Sequence, residues 1–177
     1  MTDAQFLAGL TGSDRDFHLA VEALRASGRP FCLIGGLAFN HYVEPAVTLD
    51  ANFVVAAGAN VVDAFRSKGF LVTEHPHSLS AELAGSRLRV QITINSRYGA
   101  FLGRAVEATI FGEKVPVACI EDLVQGKLWA LQDADRRASK RAKDRADLIR
   151  LYESHPRAAD LIPNGLAPEV DELRNRS

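Results

Sequence analysis

The residues able to do chemistry concentrate in one stretch, Phe31 to Val55, which reads FCLIGGLAFNHYVEPAVTLDANFVV. Asp50 and Asn52 stand two apart in an apolar run. On a β-strand that spacing turns both to one face, while Leu49, Ala51, Phe53 and Val55 turn to the other and into a core. A carboxylate and an amide oxygen on a shared face are hard donors of the kind that hold a divalent cation. Upstream, an earlier apolar run ends in Gly35-Gly36. Paired glycines between a strand and a helix let the backbone approach a ligand and leave helix-start amides available to a phosphate. The two features together describe a metal-nucleotide site.

A second group of chemically capable residues lies downstream. Lys127 falls within the helical stripe Ile120, Leu123, Val124, Leu128 and Leu131, and Asp144 and Asp147 share a helix face with Leu148 and Leu151. A lysine or an aspartate on an apolar face is costly unless paired, so the spacing brings Lys127 against Asp144 or Asp147. The competing use is contact of Lys127 or Lys143 with a triphosphate. The cation run Arg136, Arg137, Lys140, Arg141, Lys143 and Arg145 has no interleaved aromatic residues for base stacking, which favours a solvated helix face over an RNA surface. His75 and His77 could join His41 on a metal, but no second cluster has ligand spacing, and they read as loop histidines. Neither Gly-x-Gly-x-x-Gly nor a Walker A lysine is present, and no Gly-x-Ser-x-Gly or Cys-His pattern points to acyl chemistry.

The elements that must position these residues follow from periodicity. Asp14 to Ser27 reads as an amphipathic helix stopped by Gly28 and Pro30, Phe31 to Ile34 as a strand, and the segment after Gly35-Gly36 as a helix to about Val43. A strand begins at Thr48, a helix covers Asn60 to Lys68, and Phe70 to Thr73 is a short strand. Glu74 to Glu82, containing HPHS, reads as a loop. Arg87 to Asn95 alternates cleanly, with Leu88, Val90, Ile92 and Ile94 opposite Arg87, Arg89, Gln91, Thr93 and Asn95. Arg97 to Arg104 is irregular or briefly helical, and Val106 to Phe111 and Lys114 to Ala118 form a hairpin about Gly112-Glu113. Helices then run from Ile120 and from about Ser139 to Ser154, and the proline-broken tail forms short pieces. The expected organisation is a core over 1–118 and a helical region over 119–177, packed as one unit.

Composition excludes several classes. At 177 residues with formal net charge -1, the chain can bury a sizeable core and has no general attraction for nucleic acid or membrane. No apolar run approaches the roughly 20 residues that span a bilayer, and no signal peptide is evident, so the expectation is a cytoplasmic protein with no membrane partner. Cys32 in an apolar strand and Cys119 before a helix, without CxxC spacing, read as buried reduced thiols.

The order of these motifs resembles the nucleotidyltransferases of the DNA polymerase beta superfamily, specifically the AbiEii/AbiGii-like toxin family. Ile34-Gly35-Gly36-Leu37-Ala38, Tyr42, Pro45, Thr48 and Asp50 match that family's glycine motif and acidic strand. Ile120-Glu121-Asp122-Leu123 through Lys127-Leu128 resembles its E-D-L-x-x-x-K-L segment, and Lys143-Asp144-x-x-Asp147-Leu148 its K-D-x-x-D-L helix. The resemblance covers about Gly28 to Leu151 and implies an α/β (α+β) nucleotidyltransferase fold: a mixed β-sheet with helices on one side and a helical C-terminal half forming the other wall of a cleft. It makes Asp50, Asn52 and Gln91 the catalytic positions, with Asp50 and Asn52 on Mg2+. Gly35, Gly36, Thr48, Lys127, Lys143, Asp144 and Asp147 become nucleotide-binding residues.

The implied activity is transfer of a nucleoside monophosphate from NTP to an RNA (commonly tRNA) or protein acceptor, with a cognate antitoxin as partner. Two departures bear on it. The family places three carboxylates where this chain has Asp50, Asn52 and Gln91, and Ala46 stands where many relatives carry arginine. Two amides for two carboxylates take the local charge from about -3 to about -1, and an amide cannot accept a proton from an attacking hydroxyl. Mg2+ binding is therefore expected to be weak or lost. The alternative reading is a catalytically impaired module of the same fold that binds nucleotide, RNA or a protein partner.

Overall fold

The computed structural model describes residues 14–56 and 60–176, which carry seven strands and seven α-helices. The first helix, α1 (Asp14–Ala26), has Asp14 and Asp16 in its first turn and Arg25 in its last, each matched to the helix dipole. It buries Phe17, Ala20, Val21 and Leu24. Strand β1 (Phe31–Ile34) runs directly into α2 (Gly35–Tyr42), and β2 (Asp50–Val55) follows after a loop. Next come α3 (Asn60–Ser67), β3 (Leu71–His75), β4 (Ser78–Glu82) and β5 (Arg89–Thr93). A 3₁₀ turn at Ser96–Tyr98 leads into α4 (Gly99–Arg104), then β6 (Val106–Ile110) and β7 (Glu113–Val117). Helices α5 (Ile120–Gln132), α6 (Ala138–Ser154) and α7 (Pro168–Arg176) complete the chain.

The sheet order is β3-β4-β5-β2-β1-β7-β6. It is mixed: β2 pairs parallel with β5 and antiparallel with β1, and β1 pairs parallel with β7. Register is what builds the site. Asp50 lies opposite Arg89 and Asn52 opposite Gln91, while Asn52 faces Ile34 on its other side. Because side chains alternate, Asp50, Asn52, Arg89 and Gln91 share one face of two adjacent strands, β2 and β5. The opposite face carries Phe53, which stacks on Phe17 of α1 at 6.1 Å and meets Phe31 edge-on at 6.1 Å. One hydrophobic cluster runs from Phe17 through the sheet to Leu148, Leu151 and Val170.

The fold is the mixed-sheet α/β architecture expected, with local differences. The segment Glu74 to Glu82 is not a loop: Pro76 and His77 alone turn the chain, and β4 pairs with both β3 and β5. Its alternation was present, since Leu79 and Ala81 are buried between Ser78, Ser80 and Glu82, but the proline masked it. Helices cover both faces of the sheet. Phe17 of α1 packs on the Phe53 side, whereas Phe101 of α4 and Leu123 of α5 lie on the Asn52 side. The β6–β7 turn centres on Phe111 (φ 49°) and Gly112 (φ 79°), the paired left-handed conformation of a two-residue hairpin turn. Phe111 is held there by an edge-on contact with Phe17 at 5.3 Å. No helix among the described residues is long and apolar enough to cross a membrane.

Candidate functional site

The polar sheet face forms the floor of a cleft of about 400 Å³ between the strands and helices α2, α4, α5 and α6. Gly35, Gly36, Thr48, Asp50, Asn52, Gln91, Lys127, Lys143 and Asp144 all line it. Asp147 is the sequence-predicted site residue that does not: it is buried behind Lys127.

The glycine motif has a steric basis. Gly35 adopts φ +70°, and a Cβ there would lie 2.7 Å from Asn52 Nδ2. A Cβ on Gly36 would lie 3.2 Å from Thr48 Oγ1. The pair therefore lets α2 start directly against the polar strand. Ile34, at the N-cap, provides no side-chain hydrogen bond, so the first amides of α2 are not capped by it. Thr48 braces the entry to β2, its Oγ1 accepting from the Asp50 amide at 3.3 Å.

The acidic strand is employed differently from a metal site. Asp50 Oδ1 accepts from Arg89 Nε at 2.8 Å, and Oδ2 lies 3.6 Å from Lys140 Nζ. Both oxygens of the carboxylate thus face cations. Gln91 Oε1 accepts from Ser80 Oγ at 3.3 Å. The residues present do not fit a two-metal centre: one carboxylate stands beside two amides, a guanidinium occupies the neighbouring position, and among the described residues no three His, Cys, Asp or Glu side chains converge to hold an ion. Sequence reasoning missed Arg89 as a site residue, although its signal was available, since it shares a strand face with Gln91 two positions away.

The motif residues of the C-terminal half form an ion network. Lys127 Nζ donates to Asp144 Oδ1 at 2.8 Å and to Asp147 Oδ2 at 2.5 Å, and lies 5.2 Å from the Phe39 ring centroid. Asp144 Oδ2 accepts from Arg136 Nε and Nη2 at 3.0 and 2.8 Å. Asp147 Oδ1 accepts from Arg150 Nη1 at 2.9 Å, and Arg150 also donates to Asn40 Oδ1 at 3.1 Å and to the Glu44 carbonyl. Asp122 is gripped by Arg104 through Nε at 3.2 Å and Nη2 at 2.5 Å, which fixes α5 to the end of α4. Lys127 is both a cleft residue and the centre of a clamp joining α5, α6 and α2.

Other side chains complete the cleft. Arg136, Lys140 and Lys143 of the cation run line it, while Arg141 is spent on the carbonyls of Asp133, Ala134 and Arg136. Lys143 forms no ion pair among the described residues. An aromatic wall stands at one side: Tyr98 and Phe101 line the cleft, Phe101 stacks on Trp129 at 5.8 Å, and Tyr98 meets Trp129 edge-on at 5.1 Å. Arg97 lies over the Tyr98 and Trp129 rings at 5.0 and 4.9 Å. Trp129 lies some thirty positions beyond Tyr98 and Phe101, so no local pattern could have signalled the three together.

Several solved structures share the fold. An antigenic nucleotidyltransferase-like protein from Paracoccidioides brasiliensis aligns with TM-score 0.58 at 17% identity, covering 94% of this chain and 93% of its own. ANT(2'')-Ia in complex with adenylyl-2''-tobramycin aligns with TM-score 0.57 at 16% identity, covering 92% and 95%. The lincosamide antibiotic adenylyltransferase LnuA, lincomycin-bound, aligns with TM-score 0.53 at 11% identity, covering 76% and 95%. At such identities the likeness establishes the fold. No curated protein matches the chain. The family model described as "Nucleotidyl transferase AbiEii toxin, Type IV TA system" matches residues 22–176, most of the sequence. The chain belongs to the AbiEii nucleotidyltransferase toxin family.

Proposed function

We propose that this chain is a nucleotide-binding member of its family in which two-metal nucleotidyl transfer is impaired, the cleft taking a nucleoside triphosphate. One observation carries the reading: the single carboxylate of the acidic strand is paired with Arg89 and Lys140, with amides at the two positions where the family resemblance puts further metal ligands. The cationic lining and the aromatic wall suit the triphosphate and base of a nucleotide. The toxin–antitoxin context of the family adds a cognate antitoxin as protein partner, and a cytoplasmic location follows from the ligand.

A second reading, residual transfer to a tRNA or protein acceptor, is favoured by the exposure of Arg89, whose side chain is 53% accessible. Exposed ion pairs contribute only about 0–1 kcal/mol, so a metal-bound nucleotide could open this one. The two readings separate in one experiment. The chain is incubated with each of the four labelled NTPs, Mg2+ or Mn2+, and total RNA, and both binding and incorporation are followed. Binding without incorporation is the expected result. Incorporation that disappears in Asp50→Ala would establish transfer instead, and absence of both would refute the nucleotide assignment.

A further inference from the structure

We infer that the cleft holds the polyphosphate of its nucleotide as a metal-free anion, with Arg89, Lys140 and Lys143 as the cradle and Asp50 as an internal counter-ion that the phosphate displaces. This rests on the nucleotide-binding reading above. Of the charged groups lining the cleft, Lys127 and Arg136 are committed to Asp144, and Asp122 is committed to Arg104. What remains is three cations, Arg89, Lys140 and Lys143, facing one carboxylate, Asp50. That carboxylate sits between the first two at 2.8 and 3.6 Å, the position a phosphate oxygen would take. The sheet register fixes the arrangement, since Asp50 and Arg89 are direct partners on parallel strands and Lys140 reaches in from α6.

The consequence is a reversal of sign at Asp50. In a metal-dependent site an aspartate attracts the nucleotide through its cation, so its removal weakens binding. Here it competes with the nucleotide for Arg89 and Lys140, so its neutralisation strengthens binding. Magnesium is then an antagonist, because it neutralises the phosphates that the cradle attracts.

The test measures ATP, CTP, GTP, UTP and inorganic tripolyphosphate binding to the full chain by calorimetry, in EDTA and again in excess Mg2+. Asp50→Asn, Arg89→Met and Lys143→Met are compared with wild type. Expected are tighter binding in EDTA than in Mg2+, a roughly five- to tenfold gain in Asp50→Asn, as for one unit charge about 4 Å away in a solvated site, and losses of similar size in the other two. A gain in affinity cannot arise from misfolding, and thermal melts check the two variants expected to lose it. Nucleotide binding that requires Mg2+ and fails in Asp50→Asn would overturn the inference while leaving the nucleotide reading intact. Tripolyphosphate binding in EDTA with the same sign at Asp50, but no binding of any NTP, would uphold the cradle and overturn the nucleotide reading. No binding of any of these anions by wild type or Asp50→Asn would overturn both.

Discussion

Replacing Lys127 by methionine separates the two uses the sequence left open for this residue. The lysine is 8% exposed, and its ammonium bridges Asp144 and Asp147, which are each 2% exposed. Methionine keeps the bulk of the stem, so the change removes charge and hydrogen bonds without opening a large cavity. Breaking a buried pair by deleting one partner costs about 3–5 kcal/mol, because the remaining charge is left uncompensated. Each aspartate here retains an arginine, Arg136 or Arg150, which places the expected loss at the lower end, about 3 kcal/mol. For a chain of this size that lowers the melting temperature by about 6–12 °C. The single tryptophan, Trp129, lies on the same helix two residues away and reports urea unfolding directly. A loss below about 0.5 kcal/mol would refute the clamp, since it would mean that the network only breaks even against an apolar side chain. If stability were kept while nucleotide affinity fell, Lys127 would be a phosphate ligand after all.

Three further outcomes are expected. Gly35→Ala places a Cβ at φ +70° and 2.7 Å from Asn52, whereas Gly28→Ala meets a similar φ of +65° with nothing within 4 Å. Both should lose about 1–2 kcal/mol for the left-handed backbone, and urea titration should show a clearly larger loss at Gly35; equal losses would refute the contact with Asn52. At the α1–β7 contact, His18 and Arg25 meet the Glu113 carboxylate. The hydrogen bond with Glu113 raises the His18 pKa, and His18 followed by Arg25 lowers that of Glu113. The histidine contribution is therefore full below its ordinary value and fades as pH rises through the raised one. The glutamate contribution is full above its ordinary value and fades as pH falls through the depressed one. Stability from this contact should peak between them, and denaturation across pH 4 to 9 should show that Glu113→Gln flattens the profile; an unchanged profile would refute it. Finally, burial pushes the Cys32 thiol up to about 12, while Cys119 is raised less and is partly accessible. Iodoacetamide at pH 8 should label native Cys119 before Cys32, with Cys32 reacting only on unfolding; peptide mapping by mass spectrometry reads the order.

Much of the fold was legible because local pattern and tertiary environment agree. The alternation from Arg89 to Thr93, the helical stripe of α5 and the glycines that end α1 and turn β6 into β7 each carry their structure in a few consecutive residues. Strand β4 was not legible, because Pro76 and the polar serines outweighed a two-residue apolar signal whose burial depends on β3 and β5. The pairing of Lys127 with Asp144 and Asp147 could be anticipated from the cost of burying either alone. The pairing of Asp50 with Arg89 could not be read in the same way. It depends on which strand lies beside β2 and in what register, and a shift of one residue would have sent Arg89 to the opposite face.

That pairing also decides what it would take to rebuild a metal site. Converting Asn52 and Gln91 to aspartate returns the carboxylates that the family resemblance expects, and on charge alone it should recruit Mg2+. Arg89, however, stands directly opposite Asp50 on the same sheet face and two register positions from the pair of residues 52 and 91. New carboxylates there would be met first by its guanidinium, a fixed cation that requires no dehydration of a metal ion. Mg2+ titrated against the Asn52→Asp/Gln91→Asp variant should therefore show little gain, and the same titration after adding Arg89→Met should show the larger one. Full recovery of Mg2+ affinity in the double variant would refute this account and make the amides alone responsible. Weak metal binding, as proposed for this cleft, would on this reasoning be a property of three coordinated positions, with the guanidinium at 89 taking over the charge balance that the ion would otherwise provide.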